Sequence, residues 1–267
     1  MTTPPRPSGP PTRVLVVSPH FDDAPLSLGQ SLLDGALADC DVRVHVVFGR
    51  TNWTRWVHPT PARAPVVSLW RRGEELLASR SFGYRLSVGR AQEALLRGVP
   101  GEVLLDPERA VAGDPLLNPL RADLAAAVSR ARPDLVLFPA GVGGHVDHQL
   151  LAYLGAETAA DGVPVGFYED RPYAAWDGAD GVRAQLTAAG LSDPHDVSAP
   201  VGEALHRRLR RCYPSQLDDD FLAAMTADRD GRSRERVWWP APARGPEQGP
   251  AAGSTTPARR LGEPSST

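Results

Sequence analysis

A pattern of buried strands constrains the fold of this chain more than any other feature. The run Val14 to Val17 is apolar without alternation, as in a strand that is covered on both faces. It ends at Ser18-Pro19, and leucines at helical spacing follow over residues 25–38. A second apolar run, Leu135 to Phe138, leads into the glycine loop 141–144 and another helical pattern. These repeated strand–loop–helix units predict an α/β fold with a mostly parallel sheet flanked by helices.

Further elements follow from the same patterns, namely strands at Val42 to Phe48 and Val163 to Tyr168, and helices at residues 69–79, 120–130, from 146 onward and 202–212. The helix at 69–79 combines arginines, two glutamates and two leucines, and its charged side is expected to face solvent. Residues 51–66 and 171–200 have no clear period and are interpreted as loops.

The chain is expected to contain one domain with flexible ends. Residues 1–12 are rich in proline and lack the apolar segment of a secretory signal. Residues 240–267 are rich in Pro, Ala, Gly, Ser and Thr, which predicts a disordered tail. No linker interrupts residues 13–239.

The two cysteines, Cys40 and Cys212, lie far apart and outside any CxxC spacing, so we expect reduced thiols and a cytoplasmic location.

Composition excludes several function classes. The 32 acidic and 29 basic residues give a net charge of −3, which argues against electrostatic binding of nucleic acid. Hydrophobic residues make up 42% of the chain, which does not fit a membrane bundle. All basic residues are arginine, and this excludes chemistry that needs a lysine. A small molecule is the expected partner, with self-association left open.

Two polar loops follow predicted strands. His20, Asp22 and Asp23 follow the first strand, and the segment His145 to His148 follows the strand at 135–138. Because the carboxyl ends of parallel strands form the ligand-binding edge of such sheets, these loops should meet. Two imidazoles and a carboxylate are enough for a catalytic zinc with an open position.

The spacing within the loops suggests separate roles. His20 and Asp23 are three apart at a strand-to-helix turn and can converge on one ion, which leaves Asp22 free. His145 and His148 share one helix face, so one of them binds the ion while the other meets substrate. Asp147 can orient an imidazole by accepting its second N–H. Taken alone, Asp22 and Asp23 would equally suit a helix cap, but the two loops together favour a metal site.

Four segments resemble motifs of the PIG-L/LmbE family of zinc-dependent N-acetylglucosaminyl deacetylases. They are PHFDD at 19–23, GGHVDH at 143–148, FYEDRPY at 167–173 and YPSQ at 213–216. The resemblance implies a Rossmann-like fold and hydrolysis of an N-acyl bond. Two departures from the family pattern are Ala24, where a glutamate is frequent, and Gly143, where some members have a tyrosine.

The resemblance also implies roles for individual residues. By motif matching, the zinc ligands are His20, Asp23 and His148, and the general base is Asp22. His145 takes the place of the histidine that stabilises the oxyanion or relays a proton, with Asp147 as its partner. Candidate substrate-binding residues follow the predicted strands at 42–48 and 163–168, and they are Arg50, Asn52, Glu169, Asp170 and Tyr173.

The predicted function is zinc-dependent removal of an N-acetyl or similar acyl group from an amino-sugar-containing small molecule of secondary metabolism. One alternative is a metal amidohydrolase whose substrate is not a sugar. Another is a catalytically silent metal- or glycan-binding domain. Asp22 argues against the silent domain, because a binding site does not need a spare carboxylate beside the metal. The proton for the leaving amine would come from Asp22 or from His145.

Overall fold

The structure, a computed structural model, describes residues 11–226 and 233–241. The described residues form one seven-stranded sheet with helices on both faces. The strands are β1 (Arg13–Ser18), β2 (Asp41–Val46), β3 (Arg85–Val88), β4 (Leu135–Pro139), β5 (Val165–Tyr168), β6 (Leu191–Asp196) and β7 (Arg236–Pro240). The helices are α1 (Asp23–Asp34), α2 (Ala64–Phe82), α3 (Gly101–Leu104), α4 (Leu117–Ala131), α5 (Val146–Ala160), α6 (Tyr173–Ala188), α7 (Glu203–Cys212) and α8 (Asp219–Thr226).

The sheet has the order β3-β2-β1-β4-β5-β7-β6. The first five strands are parallel, whereas β7 runs antiparallel to both β5 and β6. The predicted α/β class with a mostly parallel sheet is therefore confirmed. Strand β1 lies at the centre, with Val16 opposite Val44 on one side and Leu137 on the other. Its alternate side chains enter two separate cores, Val14 on one face of the sheet and Leu15 on the other.

The site is positioned by the reversal of strand order between β1 and β4. From β1 the chain proceeds through β2 to β3 on one side, and from β4 to β5 on the other. A crevice opens at such a switch point, outside the carboxyl ends of the two strands. The loop 19–22 leaves β1 there, and the loop 140–145 leaves β4 there.

The two strands beyond β5, namely β7 and the edge strand β6, were not predicted. Residues 171–200, interpreted as a loop, contain α6 and β6, and the short strand β3 and the C-terminal strand β7 were also missed. Strand β6 has the sequence LSDPHD, which contains no apolar alternation. Helix α6 is interrupted at Gly178, whose φ of +72° breaks the helical period. Both elements are set by pairing and packing with distant segments and not by local pattern.

Helix α2 is longer than predicted, and the side that carries two of its charged residues faces the interior. Arg71 is 4% exposed and Glu75 is fully buried, although the charged side was expected to face solvent. These two residues have polar partners inside the molecule, described below, which offset the cost of burying them. The apolar residues Leu69 and Leu76 instead lie on the surface.

The predicted terminal segments lie almost entirely outside the described residues, so the disorder expected for 1–10 and 242–267 stays a prediction. The domain extends slightly past the predicted boundary at 240, because Pro240 ends β7 and the Ala241 N–H donates to Gly190 O at 2.8 Å. Among the residues that the structure describes, no helix combines the length and apolarity required to cross a bilayer.

Candidate active site

The loop after β1 holds Asp22 in an unusual backbone conformation. Its φ is +89°, a region that residues other than glycine rarely adopt and that costs about 1–3 kcal/mol. The Asp22 N–H donates to Glu75 Oε2 at 3.1 Å. Arg71 Nη2 donates to Phe21 O at 2.7 Å and to Asp22 Oδ2 at 3.1 Å. Two side chains of α2 thus hold both the backbone and the carboxylate of Asp22.

Glu75 is a buried junction between distant parts of the chain. Its Oε1 accepts from the Tyr84 hydroxyl at 2.6 Å, and its Oε2 accepts from the Tyr213 hydroxyl at 2.7 Å. Burial raises the pKa of Glu75, and the hydrogen bonds from Tyr84 and Tyr213 oppose that rise. Tyr213 belongs to the YPSQ segment, so this motif contributes to the site by supporting the carboxylate that supports Asp22.

The substitution Glu75→Gln is expected to destabilise the fold and to lower activity together. An amide has one acceptor oxygen where the carboxylate accepts three donors, so at least one buried donor loses its partner at a cost of about 1–3 kcal/mol. Chemical denaturation would measure this change. Glu74→Gln on the same helix is the matched control, since Glu74 bonds only Ser215 among the described residues. Equal stability of Glu75→Gln and wild type would contradict this account.

Three side chains from the two loops converge at the switch point. Asp23 Oδ2 lies 3.1 Å from His20 Nδ1 and 3.4 Å from His148 Nε2. One potential ligand atom from each of these residues lies within 4.8 Å of the other two. Asp23 is the first residue of α1 and His148 lies in the first turn of α5, so the two helix starts bring the donors together.

Each histidine of this cluster is oriented by a second carboxylate. His20 Nε2 lies 2.9 Å from Asp147 Oδ2, and His148 Nδ1 lies 2.6 Å from Asp170 Oδ1. A neutral imidazole donates from one nitrogen and accepts at the other. Around a bound cation both imidazoles would be neutral, with the outer nitrogens donating to Asp147 and Asp170 and the lone pairs of the inner nitrogens directed toward Asp23.

This donor set fits a divalent cation. Buried His148 Nε2 has no hydrogen-bond partner, although Asp23 Oδ2 lies 3.4 Å away. Burial lowers the pKa of both histidines, but the surrounding carboxylates outweigh it and raise the pKa of His20 to about 9 and that of His148 to about 10. The cluster therefore attracts positive charge, and two imidazoles with one carboxylate are suitable ligands for zinc.

A second group of potential ligands, His20, His145 and Asp147, also lies close together. It is less suitable, because Asp147 already accepts from Arg97 Nη2 at 2.7 Å and from the Ala94 N–H at 2.9 Å in addition to His20. Burial raises the pKa of Asp147, but the hydrogen bond from His20 and the charges of His20 and Arg97 together outweigh it and lower the pKa. Asp147 was expected to orient His145. Its carboxylate instead contacts His20, and only its backbone N–H reaches His145.

His145 lies beside the cluster with one nitrogen available. It caps α5, and its Nδ1 accepts the Asp147 N–H at 3.2 Å, so the neutral ring carries its proton on Nε2. Burial and the neighbouring His148 and His20 lower the pKa of His145 to about 2. The His145 ring is 5.0 Å from the rings of both His20 and His148. A neutral N–H donor therefore stands next to the proposed cation site.

A cavity of about 300 Å³ opens above these groups. His20, Asp22, Asp23 and His145 line its polar end. Its walls are apolar and largely aromatic, and they include Trp53, Leu105, Tyr173, Trp176 and Phe221. Trp53 and Trp176 are 39% and 48% exposed, which places them at the mouth of the cavity. Such a site suits a ligand with flat, weakly polar faces and one reactive polar group.

Only one of the five predicted substrate-binding residues lines the cavity. Tyr173 lines the cavity and contacts His148 edge-on. Asp170 is fully enclosed beneath His148, and Glu169 accepts from Trp238 Nε1 at 2.8 Å. Arg50 and Asn52 do not line the cavity, because the Arg50 backbone pairs with the segment 91–93 and Asn52 is buried against Glu93.

The site contains residues that the sequence patterns did not single out. Arg71, Glu75 and Arg97 contact Asp22 or Asp147, and Leu105 and Trp176 line the cavity. The spacing of four residues, which places Arg71 and Glu75 on one face of α2 as a pair of opposite charges, was the available signal for them. The other three come from segments with no motif.

The variant Gly143→Ala is expected to lower activity while leaving the hydrophobic core intact. Gly143 has a φ of +78°, and an added Cβ would lie 2.5 Å from the Tyr173 ring. Tyr173 would have to move away from His148, and we expect kcat/KM to fall about 10-fold or more. Gly162→Ala is the control, because its φ is +82° but a Cβ there meets nothing within 4 Å. Steady-state kinetics of both variants tests this, and equal losses would attribute the effect to backbone strain alone.

Comparison with known proteins finds relatives over most of the chain. It is 35% identical to the 2'-N-acetylparomamine deacetylase of Streptomyces fradiae, in an alignment that covers 86% of this chain and 91% of the relative. The chain belongs to this deacetylase family. The 2'-N-acetylparomamine deacetylase of Niallia circulans is 29% identical over 60% of this chain and 66% of its own length. No family model matches the chain. The expectation of an enzyme that hydrolyses an N-acetyl group is confirmed by this membership.

Solved deacetylase structures share the fold. The A40926 pseudoaglycone deacetylase superposes with a TM-score of 0.60 at 24% identity, covering 85% of this chain and 96% of that one. A deacetylase of the teicoplanin biosynthetic pathway gives a TM-score of 0.63 at 24% identity, covering 85% and 97%. The N,N'-diacetylchitobiose deacetylase from Pyrococcus horikoshii gives 0.52 at 17% identity, covering 84% and 82%. The sheet and its helices are therefore those of known deacetylases.

Proposed function

We propose that this deacetylase is zinc-dependent and of the PIG-L/LmbE type, and that it removes an acetyl group from an amino sugar of a small secondary metabolite. The observation that carries the proposal is the convergence of His20, Asp23 and buried His148. Of these, His20 and Asp23 also line the polar end of the cavity, together with Asp22. The relative of 35% identity is named for an N-acetylated aminoglycoside, which supports a substrate of that class.

The proposed zinc ligands are His20 Nδ1, Asp23 Oδ2 and His148 Nε2, the three atoms that already face one another. Asp147 and Asp170 would keep the two imidazoles in the required tautomer. When bound, zinc would supply Lewis acidity for the acyl carbonyl and for the attacking water. The remaining chemistry belongs to side chains of this chain.

Asp22 is the proposed general base. Burial raises the pKa of Asp22 to about 8, against the attraction of Arg71. A cation beside Asp23 would favour the charged form of Asp22, which could then take a proton from water. Arg71 contacts Oδ2 and fixes the direction of the carboxylate.

His145 is the proposed oxyanion donor. Its Nε2–H faces the cavity next to the cluster and can donate to the oxygen that becomes negative during attack on the amide. The proton for the departing amine would come from Asp22, which has just accepted one, because neutral His145 would have to become an imidazolate to supply it. The aromatic walls Trp53, Tyr173 and Trp176 would pack against the apolar faces of the sugar rings.

The function is tested with purified protein whose zinc content is measured first. We expect about one zinc per chain and release of acetate from 2'-N-acetylated aminoglycosides, with one free amine formed for each acetate. A chelator should abolish turnover, and added zinc should restore it. A panel of N-acetylated amino sugars and non-sugar amides separates the substrate alternatives. Release from the non-sugar amides alone would overturn the proposed substrate class, and full turnover in metal-free protein would overturn the zinc dependence.

The cytoplasmic location expected from the sequence stays a prediction.

A further inference from the structure

The outer face of α2 carries an apolar stripe that no described part of the chain covers. Its members are large apolar residues with exposed fractions between 43% and 69%, namely Val66, Leu69, Trp70, Leu76 and Leu77. Trp56, 55% exposed, extends the stripe through an edge-to-face contact with Trp70 at 6.0 Å between ring centroids. Scattered exposed apolar residues are ordinary, but a contiguous group of this kind marks an interaction surface.

The stripe is symmetric along the helix in its four central members, whereas Val66, seven residues before Gly73, is matched by Arg80 seven residues after it. Its five members lie three, four and seven residues from Gly73, with Leu69 and Leu77 four residues away on either side and Trp70 and Leu76 three residues away. At about 100° per residue, all of them fall within about 60° of the direction of Gly73. The opposite side of α2 packs into the molecule through Val67 and Ala78.

Gly73 has no explanation within the chain. It lies in the interior of α2, where glycine costs about 1 kcal/mol relative to alanine, and its backbone is not in the left-handed region. An added Cβ would meet nothing within 4 Å, so no neighbour in the described residues requires its small size. A second helix crossing closely at this point would require it.

We propose that α2 forms a dimer interface with α2 of a second copy, the two helices crossing antiparallel on a twofold axis at Gly73. In that register Leu69 packs against the partner's Leu77, and Trp70 packs against the partner's Leu76. A self-complementary patch of this kind is what an isologous interface requires. The symmetric spacing about Gly73 and its open outer side are the two independent observations behind this proposal.

The apolar area of the stripe is large enough for an interface with a second copy. Its exposed fractions correspond to roughly 600 Å² of apolar surface on each copy, at the upper limit for a monomer, where the largest patch is about 300–600 Å². A standard interface buries about 800 Å² per partner, so the stripe and its polar rim suffice. Segments of the chain outside the described residues cannot replace the partner, since their only large apolar side chains are Met1 and Leu261.

Sedimentation velocity of the full chain over a wide range of concentration tests the proposal. Wild type should dimerise, and Leu69→Glu should raise the dimer dissociation constant at least about 30-fold, because it buries a carboxylate against the partner's Leu77. The double variant Leu69→Glu/Leu77→Arg should recover most of the affinity, since the antiparallel register places each new glutamate opposite a new arginine. Val103→Glu, at an exposed apolar residue of α3, is the matched control and should leave the dimer intact.

Each other outcome contradicts a stated part of the proposal. A monomer at every concentration overturns the interface, and a dimer that persists in Leu69→Glu places the contact elsewhere. Loss of the dimer in Leu69→Glu without recovery in the double variant overturns the antiparallel register. Circular dichroism and acetate release, measured on the same samples, confirm folding, since both leucines are exposed and lie outside the cavity.

Discussion

Replacing Asp22 by asparagine is expected to lower kcat by about 10²–10⁴-fold while zinc remains bound. Asparagine keeps the size of the side chain but cannot accept a proton from water. The proposed ligands His20, Asp23 and His148 are untouched, so metal content should stay at the wild-type value. Acetate release and metal analysis on the same preparation measure the two effects separately.

Two features make this variant informative. Arg71 loses the charge of its partner in Asp22→Asn, so a stability measurement must accompany the kinetics. Asp39→Asn, at an exposed carboxylate of the neighbouring turn, controls for the general effect of removing one negative charge. Turnover within a few fold of wild type would show that Asp22 is not the base.

The substitution His148→Ala is expected to remove the metal and the activity together. It deletes one of three proposed ligands and leaves Asp170 buried without its partner. Even an outer partner of a metal-bound histidine contributes about 10–100-fold in affinity or activity, so losing a ligand should weaken zinc binding at least about 100-fold. Metal content after dialysis and residual acetate release are the measurements.

His45→Ala is the matched control for this experiment. His45 is equally buried and also lies against a carboxylate, with its Nε2 2.9 Å from Asp123 Oδ2, but it belongs to β2 and not to the cluster. We expect it to lower stability and to leave zinc content unchanged. Retention of stoichiometric zinc by His148→Ala would exclude His148 as a ligand, whatever the loss of activity.

The central part of the fold and of the site could be predicted because both depend on local signals. Unbroken apolar runs at β1 and β4 indicate buried parallel strands, and parallel strands place their following loops at one edge. The convergence of His20, Asp23 and His148 follows from that placement. The edge strand β6 has no such signal, since most of its residues are polar and its position depends on antiparallel pairing with β7.

The supporting contacts could not be predicted, because they depend on the direction of individual side chains. Asp147 was assigned to His145 by proximity in sequence, yet its position in the first turn of α5 directs its carboxylate to His20 on another loop. Charged residues are rarely buried, so Arg71 and Glu75 were placed in solvent. Their burial is stabilised by Asp22 and Tyr213, which are distant in sequence, and by Tyr84, which follows the end of α2.

The junction at Glu75 has a consequence for the order in which this protein can mature during synthesis. The carboxylate that holds the Asp22 backbone depends on Tyr213, which emerges from the ribosome long after Asp22. A nascent chain that ends before Tyr213 would already contain all three proposed zinc ligands, but the proposed base would lack its full support. Competence to capture metal should therefore precede competence to hydrolyse substrate.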